Sequence, residues 1–257
     1  MSNIKYLEDP SLGLVAETRP LQVKLAQYIE QVLALPTREP HMVEAGTGIG
    51  KSYAYLVNAI DVCKKENPEN SKRYRIVVST AMKSLQQQLY QKDLPRLSSI
   101  LGGGFKFARQ VGKANHACRR KVSLAVLAPS DAKIYERFFE STPHWIWDEA
   151  PAGLELPRNY RAHSVGYCGK NACPFAENCA KTGYLAAKSA AEEANIVVVN
   201  HALLGADIRI KRQHGVDFLG ETDVVIVDEA PTLPEALPSS LATALSNKYF
   251  ERAGTQL

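Results

Sequence analysis

The chain has 257 residues, of which 45% are hydrophobic and 23% are charged, and its formal net charge is +4. These values are those of a soluble globular protein with one large or two small domains. No run of about 18 apolar residues is present, which argues against a membrane span. The mildly basic balance permits a nucleic-acid partner but does not demonstrate one.

The first ten residues carry no signal-peptide pattern, so we expect the protein to stay in the cytoplasm. Disulfides are rare there, and cysteines more often bind metal or take part in chemistry. Cys63 is the exception among the five cysteines, because it falls in an apolar helical stretch and is predicted to be buried.

The first strong helical pattern begins near Thr18, which is predicted to cap the helix, with Pro20 in its first turn. Gln22 lies off the apolar face, and the helix is predicted to end before Pro36. The apolar face is predicted to contain Leu21, Leu25, Tyr28, Ile29, Val32 and Leu33.

Residues 41–52 predict a strand that leads into a glycine-rich turn and then a helix. The turn fits the phosphate-binding loop pattern with alanine in place of the first glycine, although a loop that only turns the chain is the alternative. Its glycines let backbone N–H groups face a phosphate, and the helix adds the positive end of its dipole. Lys51 is expected to contact the β- and γ-phosphates, and Ser52 to bind Mg²⁺. The predicted nucleotide-binding residues of the loop are Gly46, Thr47, Gly48, Ile49, Gly50, Lys51 and Ser52.

The remaining pattern predicts an α/β domain with a parallel sheet and an insertion. Strand signals thin out over residues 105–190, where cysteine, proline and aromatic residues become common. The α/β domain then has a first part over residues 1–104 and a second over 191–235, and 236–257 begins a further insertion or tail. The helices and strands predicted after the loop cover residues 53–63, 75–80, 81–90, 196–199 and 224–228.

An acidic pair follows the last apolar strand. Asp228 and Glu229 would lie at the carboxyl edge of a parallel sheet, where such sheets bind ligands. Asp228 is expected to bind Mg²⁺, and Glu229 to polarise the water that attacks the γ-phosphate. The alternative is an ordinary acidic turn. No guanine-recognition signature is present, which disfavours a GTPase.

Four segments, in this order, resemble the first motor domain of the DinG/XPD family of superfamily 2 DNA helicases: Glu44–Ser52, Val78–Leu89, Asn195–Leu204 and Val227–Pro231. The resemblance implies a RecA-like domain that couples ATP hydrolysis to 5′ to 3′ translocation on single-stranded DNA and to unwinding of forked DNA. It also implies that Arg19 and Gln22 lie on the adenine side of the nucleotide, although a surface position for Gln22 is an equal alternative.

Two further expectations follow from this resemblance. The family needs a second RecA-like domain, for which too few residues follow Asp228, so this piece alone is expected to be inactive or weakly active. The family usually has histidine where this chain has Pro231, which lacks both an imidazole and a backbone donor. Metal and water ligands remain, so coupling of hydrolysis to movement is more in doubt than nucleotide binding.

Four cysteines in the insertion, Cys118, Cys168, Cys173 and Cys179, could ligate Zn²⁺ or a [4Fe–4S] cluster. Their spacing lacks a close Cys-x-x-Cys pair and resembles the iron–sulfur insertion of the same family; plain buried thiols are the remaining alternative. Because the insertion offers few residues for a core, the metal is expected to be structurally necessary. His116 is interpreted as a surface residue rather than a further ligand.

A basic run, Arg119, Arg120 and Lys121, follows the first predicted ligand and is a candidate contact for single-stranded DNA, or else a solvated charged face. The leading hypothesis is therefore an ATP-dependent DNA helicase with ATP, Mg²⁺ and an iron–sulfur cluster as cofactors. The competing hypotheses are a nucleotide- and DNA-binding accessory module without motor activity, and a zinc-stabilised P-loop ATPase.

Overall fold

A computed structural model describes residues 2–35, 39–65, 74–166 and 173–241, without the side chains of 238–241. The strands are β1 Ile76–Thr80, β2 Phe107–Arg109, β3 Ile196–Asn200 and β4 Val224–Val227. The α-helices are α1 Lys5–Glu8, α2 Pro20–Leu33, α3 Lys51–Cys63, α4 Lys83–Gln88, α5 Leu94–Ile100, α6 Arg119–Ser123, α7 Pro129–Ser141, α8 Ala176–Thr182, α9 Tyr184–Glu193, α10 His201–His214 and α11 Leu233–Leu241. A π-helical turn, Leu89–Asp93, joins α4 to α5.

The four strands form one parallel sheet in the order β2-β3-β1-β4. The central strand β1 pairs with β3 and β4, so that Val78 lies opposite both Val198 and Ile226. The two inner strands, β3 and β1, are mostly apolar and almost fully buried, as expected for strands covered on both faces. The predicted α/β fold with a parallel sheet is confirmed.

Apolar side chains pack on both faces of the sheet. On one face, Ile76 and Val78 of β1 pack with Leu56 and Ile60 of α3. On the other, Val77 packs with residues of β3 and α10. Cys63 belongs to the first of these clusters and is fully buried, which confirms its predicted place in the core.

The segment before the glycine-rich loop is not a strand, in contrast to the prediction. Residues 39–46 belong to no strand of the sheet, and Met42 is 92% exposed. Within the described residues, β4 has a neighbour only on its β1 side, and Val225 on it is 49% exposed. A strand needs a hydrogen-bonded neighbour, so apolar composition alone did not decide the structure of this segment.

The start of α2 also differs from the prediction. Arg19 rather than Thr18 occupies the capping position, while Pro20 is in the first turn as predicted. Thr18 instead donates its hydroxyl to the carbonyl oxygen of Glu8 at 2.7 Å. Leu21 of the predicted apolar face is 63% exposed, whereas Gln22 is buried, because the neighbouring loop rather than the apolar core covers that side.

Part of the predicted insertion builds its own core. An aromatic cluster includes Tyr135, Phe138, Trp145 and Trp147, with the Phe138 and Trp147 rings stacked at 4.9 Å. Each aromatic side chain buries a large area, so few residues suffice for a core. The expectation that this segment offers few residues for a core is therefore wrong. The strand β2 also falls within residues 105–190, yet it pairs with β3 in the main sheet.

None of the helices in the described ranges combines the length and the apolar character that a membrane crossing needs.

Candidate functional site

The glycine-rich loop runs from Gly46 to Gly50 and ends at the N-terminus of α3. Gly48 and Gly50 have φ angles of 78° and 88°, a region that strongly favours glycine. Gly46, Thr47 and Gly48 are exposed, and Ile49 is half-buried. The loop therefore presents backbone at the positive end of a 13-residue helix.

Lys51 is the first residue of α3 and reaches back over the loop. Its ammonium group donates to the carbonyl oxygens of Ala45 at 3.0 Å and Gly46 at 3.2 Å. The positive charge thus lies within the curve of the loop, where an incoming phosphate would meet it.

Two side chains from the start of α2 hold the loop from the other side. Gln22 donates from Nε2 to the Gly50 carbonyl oxygen at 2.8 Å, and Arg19 donates to that of Gly48 at 3.2 Å. Gln22 is only 2% exposed, so a surface position for it is wrong. Its Oε1 atom is buried without a hydrogen-bond partner.

A cavity of about 310 Å³ opens beside these two residues. Arg19 and Gln22 line it together with Gly50 of the loop, Ser52 of α3 and Asp93 of the π-helical turn, and the apolar Leu14 and Val15 lie in the same wall. A wall of mixed polar and apolar residues next to a phosphate-type loop is a suitable place for the rest of a nucleotide.

The two predicted magnesium ligands, Ser52 and Asp228, both lie near the hydroxyl of Tyr55. Tyr55 of α3 donates its hydroxyl to Asp228 Oδ2 at 3.0 Å, and the Ser52 side chain interacts with the same hydroxyl. Burial, followed by the charge of Asp228, raises the pKa of Tyr55 well above its usual value, so the hydroxyl stays protonated. The sequence reasoning did not single out Tyr55, although it lies one helical turn after Ser52.

Asp228 lies directly after β4 and is buried, whereas Glu229 is exposed. The Asp228 backbone N–H donates to the Ser79 carbonyl oxygen at 2.8 Å, which continues the ladder between β1 and β4. Glu229 adopts φ 56° and ψ 43°, a left-handed conformation that is uncommon outside glycine. Pro231 follows in an exposed short turn.

A buried histidine lies close to the acidic pair. His201, at the start of α10, is 1% exposed, and its Nδ1 lies 2.7 Å from Ser79 Oγ. Burial lowers its pKa, and contacts with the backbone of Glu229 and Asp228 oppose that shift. The resemblance included His201 in its third segment, but nothing in the sequence placed it against the acidic pair.

Oxygen donors of this kind suit Mg²⁺, which prefers a few protein oxygens together with phosphate oxygens. Ser52 and Asp228 lie near the Tyr55 hydroxyl beside the loop, so these two residues would be suited to hold a magnesium ion there.

The predicted cluster ligands are only partly described. Cys118, Cys173 and Cys179 are each partly exposed, and Cys168 lies outside the described residues. In the described parts of the chain, no three His, Cys, Asp or Glu side chains come together as a metal site. The described cysteines therefore do not by themselves assemble a cluster site.

His116, near the first of these cysteines, is buried rather than at the surface. Its Nδ1 lies 2.8 Å from the His144 carbonyl oxygen, and burial lowers its pKa to about 4. The ring of Tyr184, at 5.2 Å, and the backbone of His144 contact it, which its polar neighbours in the sequence did not indicate.

The basic run divides into one held and two free side chains. Arg119 lies over the rings of Phe139 and Phe175 and donates to Asn178 Oδ1 at 3.2 Å. Arg120 and Lys121 are exposed. Among the described residues, Arg119 is held by neighbouring side chains and therefore has a structural role, whereas Arg120 and Lys121 present their charges to solvent.

Comparisons with known proteins bear on this site. A DEAD/DEAH box helicase family model matches residues 24–151. The ATP-dependent DNA helicase YoaA of Escherichia coli is 30% identical over 242 residues, which cover 90% of this chain and 35% of the relative. The ATP-dependent helicase DinG of Mycobacterium tuberculosis is 31% identical over 252 residues, with coverage of 87% and 36%. The chain belongs to the DinG-like DEAD/DEAH box helicases.

A third DinG-like helicase, DinG of Photobacterium profundum, is 27% identical over 259 residues, again with 90% of this chain and 35% of the relative. The family resemblance predicted from the four segments is confirmed. The chain spans about a third of the length of these relatives. The matched family range contains the loop and Lys51 but ends before β3 and β4.

Proposed function

We propose that this chain binds ATP with Mg²⁺ and forms the first motor domain of an ATP-dependent DNA helicase. The observation that supports this most is that Ser52 and Asp228 both lie at the Tyr55 hydroxyl, beside the glycine-rich loop whose carbonyl oxygens bind the Lys51 ammonium group. Tyr55 and Asp228 are 173 residues apart in sequence, and they meet at one end of a parallel sheet. Such an edge is where α/β sheets bind ligands.

Each residue has a separate task in this proposal. The loop amides and Lys51 bind the phosphates, while Arg19 and Gln22 face the rest of the nucleotide. Ser52 and Asp228 would hold Mg²⁺, whose charge stabilises the phosphate oxygens during transfer. Glu229 is exposed next to Asp228, where its carboxylate can orient the attacking water and accept its proton.

Replacement of Lys51 tests the nucleotide site. Lys51→Ala removes the ammonium group that the phosphates require, so binding of a fluorescent ADP analogue in the presence of Mg²⁺ should fall to background. Lys24→Ala, at an exposed position of α2, is the control and should bind as the unmodified chain does. Binding of Lys51→Ala at wild-type affinity would show that the loop is not a phosphate site.

Pro231 favours a second candidate, an accessory module that binds nucleotide and DNA without movement. Pro231, in an exposed short turn, has neither an imidazole nor a backbone donor to pass on a change at Asp228. In a longer chain with both motor domains, Pro231→His should raise unwinding per ATP and leave basal hydrolysis nearly unchanged. Efficient unwinding by the unmodified longer chain would exclude this candidate. The 257-residue piece alone should hydrolyse ATP weakly.

The proposal includes a [4Fe–4S] cluster held by Cys118, Cys168, Cys173 and Cys179. Its support is the chemistry of four thiols and the link from Arg119 to Asn178, which joins the first and last cysteine segments. Iron content and visible absorption of an anaerobic preparation test it, with Cys63→Ser as the control. Iron that survives Cys173→Ser would exclude this ligand set, and zinc in place of iron would favour the zinc-stabilised ATPase.

Single-stranded or forked DNA is the proposed substrate, with translocation from 5′ to 3′, and Arg120 and Lys121 are proposed contacts together with Arg119. Each phosphate contact contributes about 0.7 to the salt dependence of binding to a single strand. Changing Arg120 and Lys121 to Gln should lower that slope by up to about 1.4. An unchanged slope would identify the run as a solvated surface.

A further inference from the structure

We propose that Tyr55 is a positioning residue for the magnesium site, which sets the Asp228 carboxylate toward Ser52. The inference rests on the proposed function and assigns a task to a residue outside the glycine-rich loop and the acidic pair. Tyr55 contacts the two oxygen donors rather than the metal itself.

The geometry at Tyr55 is that of a bridge between two elements. Its hydroxyl donates to Asp228 Oδ2 at 3.0 Å, and its other neighbour is the Ser52 side chain. Ser52 and Tyr55 are three residues apart on α3, so they lie on one face of the helix. Asp228 comes from the end of β4, a different element.

The second oxygen of Asp228 is held as well. The Glu229 backbone N–H donates to Oδ1 at 3.0 Å, and the Asp228 backbone is tied to Ser79. Tyr55 therefore supplies the only described side-chain contact that selects the direction of Oδ2. Without it, the carboxylate could rotate about its terminal torsion, which has broad energy wells.

Packing separates the ring of Tyr55 from its hydroxyl. Tyr55 is 5% exposed and belongs to the core cluster on one face of the sheet, and its hydroxyl reaches Asp228 in a buried hydrogen bond. Tyr55→Phe keeps the ring and removes only the hydroxyl, so it separates positioning from packing. Outer-shell partners of metal ligands typically change metal affinity by about 10- to 100-fold when they are removed.

The experiment measures binding of a fluorescent ADP analogue with and without Mg²⁺. In the unmodified chain, Mg²⁺ should strengthen binding. In Tyr55→Phe, that strengthening should fall by about tenfold or more, while binding without Mg²⁺ is unchanged. Tyr135→Phe is the matched control, because it removes a buried hydroxyl that contacts His163 at 2.9 Å, outside the site.

A second variant keeps the test decisive. Asp228→Asn should abolish the effect of Mg²⁺, and adding Tyr55→Phe to it should cause no further loss. A full Mg²⁺ effect in Tyr55→Phe, or equal weakening with and without Mg²⁺, would overturn the positioning role alone. If the unmodified chain shows no Mg²⁺-dependent binding, or Lys51→Ala binds normally, the proposed function fails and the role of Tyr55 falls with it.

Discussion

Gly50 and Gln22 share a space that leaves no room for an additional carbon atom. A Cβ atom at Gly50 would overlap the Gln22 side-chain amide, which already donates to the Gly50 carbonyl oxygen. Gly50 also has a φ of 88°, where any residue with a Cβ is strained. The loop therefore depends on glycine here for two separate reasons.

Gly50→Ala and Gly13→Ala separate these reasons. Gly13 has a similar φ of 81° but nothing within 4 Å of its Cβ position, so alanine there should cost only the strain, about 1–2 kcal/mol of unfolding free energy. Gly50→Ala should cost about 1 kcal/mol more, because Gln22 loses its hydrogen bond. Urea denaturation measures both variants. Equal losses would mean that Gln22 moves aside freely.

Individual site residues were predictable where a motif fixes them. The loop glycines lie directly before α3, Lys51 and Ser52 lie at its start, and the acidic pair lies directly after β4. The burial of Gln22, Tyr55 and His201 was not predictable, because it depends on contacts with segments 28, 173 and 122 residues away. A pattern within one helix carries no information about such partners.

At the scale of elements, the turn that contains Asp148 and Glu149 fastens the aromatic core to the sheet domain. Glu149 forms an ion pair with Arg109 of β2, with both side chains less than 10% exposed. Tyr90 of the π-helical turn lies beneath the Arg109 guanidinium at 5.9 Å. Asp148 pairs with Lys83 of α4 at 2.9 Å, but both partners are largely exposed.

Adjacent substitutions should therefore have very different costs. Glu149→Ala leaves Arg109 buried and unpaired, so unfolding free energy should fall by about 3–5 kcal/mol. Asp148→Ala breaks an exposed pair and should cost less than about 1 kcal/mol. Thermal and urea denaturation of the two variants give this comparison. The double variant Arg109→Met with Glu149→Leu should recover most of the loss, since no charge then remains buried.

The strands β1, β3 and β4 were predicted to within one residue at each end, because parallel strands are continuous apolar runs. The short strand β2 was missed, since three residues give too little pattern. The strand expected before the loop failed for the opposite reason: its composition suited a strand, but no described neighbour pairs with it.

Across the whole molecule, Arg75 joins segments that are far apart in sequence. Its guanidinium donates to the carbonyl oxygens of Ala191 and Ala194 at the C-terminal end of α9, and to that of Leu219 before β4. Its backbone N–H donates to Asp223 Oδ2 at 2.7 Å. The Arg75 side chain thus connects the start of β1 to the segments that precede its two neighbours, β3 and β4.

Arg75→Lys should destabilise the whole domain. The single ammonium group of lysine cannot donate to all the carbonyl groups that the planar guanidinium of Arg75 reaches. Each buried carbonyl left unpaired lowers the free energy of unfolding by about 1–3 kcal/mol. Arg96→Lys is the control, because Arg96 is exposed and its backbone acceptors among the described residues are Gly13 and Leu14. The urea midpoint should fall clearly for Arg75→Lys and little for Arg96→Lys. Similar midpoints would show that the carbonyl groups find other partners.

The contact between Tyr55 and Asp228 can form only late in the synthesis of the chain. These residues are 173 positions apart, so a ribosome that adds about 5–20 residues per second needs roughly 10–35 s to deliver the second after the first. During that interval β1 has already emerged without β3 or β4, and its apolar edges are open to other chains. The nascent protein should therefore depend on chaperones and benefit from slow expression at low temperature.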